Sequence, residues 1–173
     1  KHTYYYKNSG LQNQSVLYRE ADGSSAPDTF LDPNTFSKDG TTSLAGIAFS
    51  KDGSMAAYNI SEGGSDWQKL VVMNATDKKQ LADTLEIKFS GASWKGNDGF
   101  YYCNYERPKQ GSVLSGKNES HKLYYHKLGT SQKEDKLVYG SDASPVRYMG
   151  GYLSEDERWL FISTANETYG GAL

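Results

Sequence analysis

The chain has 173 residues, 36% of them hydrophobic, and a formal net charge of -2. That length is enough for one domain with a real core. The near-neutral balance gives no electrostatic reason to expect nucleic acid or an anionic membrane as partner. The single cysteine, Cys103, excludes an internal disulfide and cannot alone build a thiolate metal site, so neither metal nor cofactor is expected.

With 14 Tyr, 18 Gly and only 4 Pro, the composition suits half-buried strands joined by tight turns and predicts an all-β protein. Thr3 to Lys7 and Val16 to Glu20 read as strands around the polar turn Asn8 to Gln14, and Thr29 to Leu31 as a short third strand before Asp32-Pro33-Asn34. Leu44 to Phe49, Ser54 to Ile60, Lys69 to Met73 and Leu85 to Lys88 make a first unit. Gly91 to Trp94, Phe100 to Asn104, Lys122 to Lys127 and Lys136 to Tyr139 make a second, and Tyr148 to Leu153 with Trp159 to Ser163 begin a third. The runs are short, aromatic or β-branched, and bounded by Gly, Asp and Asn, as strands are.

One polar turn recurs between them. Phe49-Ser50-Lys51-Asp52-Gly53, Trp94-Lys95-Gly96-Asn97-Asp98-Gly99 and Leu153-Ser154-Glu155-Asp156-Glu157 each carry a central Asp and lead into an apolar strand. The first two of these Asp lie 46 residues apart and the last two 58, close to the ~40–50 residues of a four-stranded propeller blade. The reading is a partial β-propeller of about three four-stranded antiparallel blades, whose second interval is lengthened by a mobile hairpin insertion from Glu106 to His121. The repeated Asp residues are expected to shape turns through side-chain-to-backbone hydrogen bonds. Trp67, Trp94 and Trp159 are expected to pack between blades. The chain opens on Lys1 instead of Met, and Leu173 comes soon after the last strand. A piece of a larger propeller is therefore expected, with exposed strand edges that favour self-association.

Other constellations carry less. Gly111 to Asn118 nearly spells a phosphate-binding loop, but Asn118 stands where a magnesium-holding Ser/Thr belongs. His121 and His126 are five apart, which on a strand places them on opposite faces and against a shared metal. Cys103 sits in an apolar run and reads as a buried thiol. The five Asn-x-Ser/Thr sequons, at Asn13, Asn59, Asn74, Asn118 and Asn166, fit chance in an Asn/Ser-rich chain. No apolar stretch reaches the ~20 residues of a membrane span, and no signal peptide is visible. The compartment is left open between the cytoplasm and a bacterial periplasm.

The stretch Tyr4 to Tyr18 closely resembles the start of the propeller in prolyl oligopeptidases. The likeness continues through Phe30 to Asn34, Phe49 to Gly53, Gly64 to Trp67, Ile87 to Ser90, Lys122 to Thr130 and Met149 to Gly151. The resemblance implies a serine peptidase in which a seven-bladed propeller caps an α/β-hydrolase domain, admits short proline-containing peptides, and leaves the cleavage after proline to a triad in the other domain. Residues 1–173 would be propeller only. In agreement, the Gly-x-Ser-x-Gly elbow is missed at the last position by both Gly63 to Trp67 and Gly91 to Lys95. The resemblance further implies that Phe89 and Met149 line the substrate pocket upstream of the proline. Ser163 to Thr168 departs from the animal-type pattern of the family, so the contacts made there are not carried over. Two other readings are a free-standing propeller-like interaction scaffold and an oligopeptidase of different specificity.

Overall fold

The computed structural model describes residues 2–23, 26–106 and 119–167. Thirteen strands are seen among them, every one antiparallel to its neighbours. The first sheet is β1 (His2–Lys7), β2 (Val16–Ala21) and β3 (Asp28–Leu31). The second is β4 (Thr42–Phe49), β5 (Met55–Glu62), β6 (Trp67–Asn74) and β7 (Gln80–Lys88). The third is β8 (Ser93–Lys95), β9 (Gly99–Asn104), β10 (Lys122–Lys127) and β11 (Lys136–Tyr139). The fourth holds β12 (Tyr148–Leu153) and β13 (Leu160–Ala165). Each sheet is a simple meander in chain order, so two of the four have four strands. Most of the expected insertion, with the loop that nearly spells a phosphate site and the sequon at Asn118, lies outside the described residues.

The period of two along a strand decides how the sheets stack. On β6, Leu70 and Val72 point into one core with Ala57, Leu85 and Ile87 and meet Trp94, Phe100 and Tyr102 of the third sheet. The intervening Val71 and Met73 point the other way and meet Leu17 and Phe30 of the first sheet. Strand β9 repeats the pattern: Phe100 and Tyr102 face the second sheet, while Tyr101 and Cys103 face Leu123, Met149 and Leu160. The middle sheets are therefore buried on both faces. Gly151 allows the fourth sheet to sit down on the third, because a β-carbon there would come within 2.5 Å of Leu123 Cδ1.

Two of the three repeated turns are built alike. In the first, Ser50 N–H donates to the Met55 carbonyl at 2.9 Å, and Asp52 Oδ1 accepts from Ser54 N–H and Ser50 Oγ, each at 2.9 Å. In the last, Ser154 N–H donates to the Trp159 carbonyl at 2.8 Å, and Asp156 Oδ1 accepts from Ser154 Oγ at 2.6 Å and Arg158 N–H at 3.2 Å. Gly53 takes the left-handed position at φ 75°, and Glu157 takes it at φ 58° in the copy. These hydrogen bonds hold the Asp52 and Asp156 carboxyls below the usual carboxylate range. The middle turn differs: Asp98 contributes its carbonyl, to Leu128 N–H at 2.9 Å. Instead it ties the other two together. Asn97 Nδ2 donates to Asp52 Oδ2 at 2.7 Å, Gly96 N–H to the Glu157 carboxylate at 2.8 Å, and Lys95 Nζ to the Glu157 carbonyl at 2.9 Å.

Trp94 packs between sheets as expected, its indole N–H donating to the Ala48 carbonyl across the gap at 3.0 Å. Trp159, in the turn before β13, is 65% exposed, and Tyr152 and Phe161 of the fourth sheet are exposed with it, while its successor Leu160 reaches the third sheet. Cys103 is a buried thiol whose pKa burial pushes up to about 12. Phe100 has no exposed surface and touches the rings of Trp94, Tyr102 and His126. Phe100→Ala should therefore cost about 3–5 kcal/mol of stability, whereas Tyr152→Ala, at a side chain 57% exposed, should stay within about 0.5 kcal/mol. Denaturant midpoints of the two variants check both.

Candidate functional site

The three linked turns occupy one end of the sheets, and the chemistry-bearing side chains gather at the other. There β7 and β9 end, and β10 and β12 begin. Lys88 closes β7, and its N–H is taken by Asn104 Oδ1 at 3.1 Å. Its ammonium lies 3.7 Å from the Asp66 carboxylate, 5.7 Å from the Trp67 ring centre and 5.2 Å from that of Phe89. A cation over two ring faces is attracted by both quadrupoles. The Trp67 indole N–H is buried and has no hydrogen-bond partner among the described residues.

Phe89 follows with φ 54°, in the left-handed region, and the residue is 45% exposed. It meets Tyr105 edge-on at 6.4 Å and Tyr148 at 6.5 Å. Tyr105 in turn stacks on His121 with ring centres 4.1 Å apart, and its hydroxyl donates to the Arg147 carbonyl. Burial raises the Tyr105 pKa to about 12 and lowers that of His121 to about 4, the Lys88 backbone only partly offsetting the latter. His121 is thus neutral at physiological pH. Its Nδ1 accepts the Met149 N–H at 2.9 Å, so Nε2 carries the proton.

Of the two residues expected in the pocket, Phe89 is on the surface of this aromatic cluster. Met149 is 5% exposed and packs with Cys103 and Leu123 between the third and fourth sheets. The structure links them indirectly, through Tyr105, His121 and the Met149 backbone. Sequence reasoning passed over Lys88, Tyr105, Arg147 and Tyr148. The one available signal was position, since each flanks a strand end on this side.

The two histidines face opposite ways, as their spacing predicts, and both are fully buried. His126 bridges two aspartates: Nδ1 meets Asp135 Oδ1 at 2.7 Å and Nε2 meets Asp83 Oδ1 at 3.1 Å. The side chains of all three are 4% exposed or less. Asp83 also accepts the Gly129 N–H at 2.5 Å, and Asp135 the Tyr102 hydroxyl at 2.7 Å. Asp83 is on β7 and His126 on β10, so this cluster clamps the second sheet to the third. No serine or cysteine touches His126 among the described residues. The Tyr102 hydroxyl is held protonated by burial and by its bond to Asp135. The cluster is structural: its three side chains bond to one another, and no group of His, Cys, Asp or Glu among the described residues is arranged to hold a metal ion. What the arrangement offers is a binding face of aromatic rings flanked by two cations, the Lys88 ammonium over Trp67 and Phe89 and the Arg147 guanidinium 5.8 Å from the Tyr148 ring centre.

Burial works to lower the His126 pKa, but the hydrogen bonds and charges of Asp135 and Asp83 outweigh it and the net shift is upward. A raised native pKa makes the contribution to stability full below about pH 6.5, the unfolded value, and lost as pH rises through the native value. The denaturation midpoint should therefore fall as pH rises above about 6.5, and His126→Gln should remove that fall. At Phe89, glycine carries no left-handed penalty, so Phe89→Gly should be more stable than Phe89→Ala by roughly 1 kcal/mol. Paired thermal melts of the two variants decide this.

The family model for the prolyl oligopeptidase N-terminal beta-propeller domain matches residues 1–171. A prolyl endopeptidase of Elizabethkingia miricola is 56% identical over 100% of this chain, and prolyl oligopeptidase A of Amanita bisporigera is 35% identical over 97% of it. The chain spans 24% of the length of the first of these and 26% of the second. Among solved structures, prolyl oligopeptidase B from Galerina marginata bound to a 35mer hydrolysis and macrocyclization substrate superposes with a TM-score of 0.85 at 30% identity, covering 96% of this chain and 26% of that one. A prolyl endopeptidase solved in a study of inter-domain dynamics also gives 0.85, at 35% identity, over 97% of this chain and 24% of its own. An all-β stack of antiparallel meanders is the architecture these relatives share, and the chain belongs to the prolyl oligopeptidase family, where it corresponds to the N-terminal β-propeller domain.

Proposed function

We propose that these 173 residues are part of the propeller of a serine peptidase that cleaves short peptides after proline. The observation that carries this reading is 56% identity, without a gap in coverage of the chain, to a prolyl endopeptidase. In this reading the four sheets belong to about three four-stranded blades of a seven-bladed ring. The ring gates access, and the hydrolytic triad is carried by an α/β-hydrolase domain encoded elsewhere in the same protein. The aromatic end of the sheets then faces that domain.

Phe89 presents its half-exposed ring to the peptide upstream of the proline. Met149 supports the same pocket from below, through the Met149–His121–Tyr105 contacts. A Galerina relative of the same fold is solved bound to a 35mer hydrolysis and macrocyclization substrate, which supports a peptide as the ligand. In isolation the exposed Tyr152, Phe161 and Ile162 of the fourth sheet, with Trp159 in its turn, would draw copies of the chain together, since an uncovered sheet face and edge are sticky.

The test is a chromogenic proline-containing peptide offered to the product of the full reading frame and to residues 1–173 alone. The full product should cleave it and the 173-residue chain should not. Phe89→Ala in the full product should raise KM about tenfold with kcat nearly unchanged, the signature of lost ground-state contact. Turnover by residues 1–173 alone, or an inert full product, overturns the reading.

A further inference from the structure

Strand β7 ends at Lys88 and β8 starts at Ser93, so residues 89–92 carry the chain from the second sheet to the third. The first of them, Phe89, stands at φ 54°. A side chain with a β-carbon is penalised there by about 1–2 kcal/mol, while glycine is not. Such a conformation persists only where the surroundings over-determine it.

The surroundings here do so from both sides. Ahead of Phe89, the Lys88 N–H is taken by Asn104 Oδ1 at 3.1 Å, and Asn104 Nδ2 donates back to the Glu86 carbonyl at 2.7 Å. The same Oδ1 accepts Tyr105 N–H at 3.0 Å, which fixes the plane of the amide. Behind Phe89, Ser90 Oγ takes the Cys103 N–H at 2.8 Å, and the Ser90 carbonyl takes Asn59 Nδ2 at 2.8 Å. Asn59 Nδ2 is anchored on Gln68 Oε1 at 3.0 Å. Asn104 and Asn59 are each 8% exposed, so these are desolvated bonds whose loss leaves backbone groups unpaired. The clamps come from different sheets, Asn104 from β9 of the third and Asn59 from β5 of the second. With both neighbours held, the left-handed turn at residue 89 has little alternative. A glycine would serve the turn without strain; the chain instead keeps an aromatic ring there and leaves it half exposed.

We infer that Asn104 and Asn59 are positioning residues: by clamping the backbone on either side of Phe89 they aim its ring at the peptide, and so set the preference for an aromatic residue upstream of the proline. The inference rests on the pocket reading of Phe89 above. Neither asparagine touches the substrate; each acts through the main chain at residue 88 or 90.

The experiment uses the product of the full reading frame and two peptides, one with phenylalanine and one with glycine upstream of the proline. Asn104→Ala should raise KM for the phenylalanine peptide about fivefold, leave kcat within about twofold, and leave the glycine peptide unchanged, as loss of ring placement without loss of chemistry requires. In a Phe89→Ala background the same substitution should have no further effect on the ratio of the two KM values, because the ring it places is gone. If Phe89→Ala collapses that ratio and Asn104→Ala does not move it, or if the two effects simply add, the positioning role is overturned while the pocket reading stands. If Phe89→Ala leaves the ratio untouched, the pocket reading falls and takes this inference with it. Should Asn104→Ala fail to accumulate as folded protein, Asn59→Ala carries the same test with the same outcomes.

Discussion

A sheet whose two faces are both apolar cannot stop at itself. Leu70 and Val72 on one face of β6, and Val71 and Met73 on the other, oblige the second sheet to be covered twice. Phe100 and Tyr102 against Tyr101 and Cys103 put the same demand on the third. Burying a Leu or Phe is worth about 1.5–3 kcal/mol, and these sheets have little else to hold them together, since each is a self-contained meander with no strand shared with its neighbour. Stacking of successive meanders follows from that demand, and with it the repetitive form of the chain.

Stacking has a cost at the sheet ends and edges, where polar groups are carried into the gap between sheets. They are answered there by specific pairs. Between the first two sheets, Arg19 forks onto the Asp28 carboxylate at 3.0 and 3.2 Å and donates to the Ala75 carbonyl at 2.5 Å; the fork holds the Asp28 pKa down to about 2. Between the second and third, His126 is shared by Asp83 and Asp135, and Asn104 pairs with the end of β7. Between the third and fourth, the neutral imidazole of His121 takes a backbone N–H. These groups contribute less by their own attraction than by what their loss would leave behind, because an unpartnered charge or peptide group in such a gap is expensive. The apolar pattern makes the sheets stack, and the polar pairs select the register and tilt in which they do so.

How far this was readable depends on range. Strands and their turns are local, and Tyr148 to Leu153, Lys122 to Lys127 and Lys136 to Tyr139 fall where alternation and bounding Gly and Asp put them. The Asp52 and Asp156 turns were legible for the same reason, since the bonds that shape each turn fall within five residues. Asp98 looked alike in sequence and does something else, because Gly96-Asn97 turns its hairpin differently and leaves Asn97 as the linking side chain. Across sheets, local pattern is silent. His126 and Asp83 are 43 residues apart, and nothing about either announces the other. At the candidate site, Phe89 and Met149 were reached by resemblance alone. The left-handed backbone of Phe89 could not be read, since an aromatic residue at the end of a β-run ordinarily promises extended geometry.

The two ends of the stack are unlike, and the difference tells where function resides. At one end the same Ser-x-Asp turn is used twice and its copies are chained through Asn97, Gly96 and Glu157. This is the economy of a repeat, each unit supplying its neighbour's bonding groups. At the other end the repeat breaks down: aromatic rings replace turn residues, Lys88 is held between two of them, and a non-glycine residue is kept in a backbone state it disfavours. Strain that local sequence could have relieved by a single glycine persists only under constraint from outside the segment, and that constraint is drawn here from both adjoining sheets. A stack needs such an arrangement at no other crossover among the described residues, since the passages from β3 to β4 and from β11 to β12 use positive φ at Gly40 and Gly140. Lys78, Ser120 and Glu157 also take positive φ, but within hairpins and connections of single sheets; among the described residues Phe89 is the one such non-glycine at a crossover between sheets, and it exposes a ring, which ties the architecture of the stack to the pocket proposed for it.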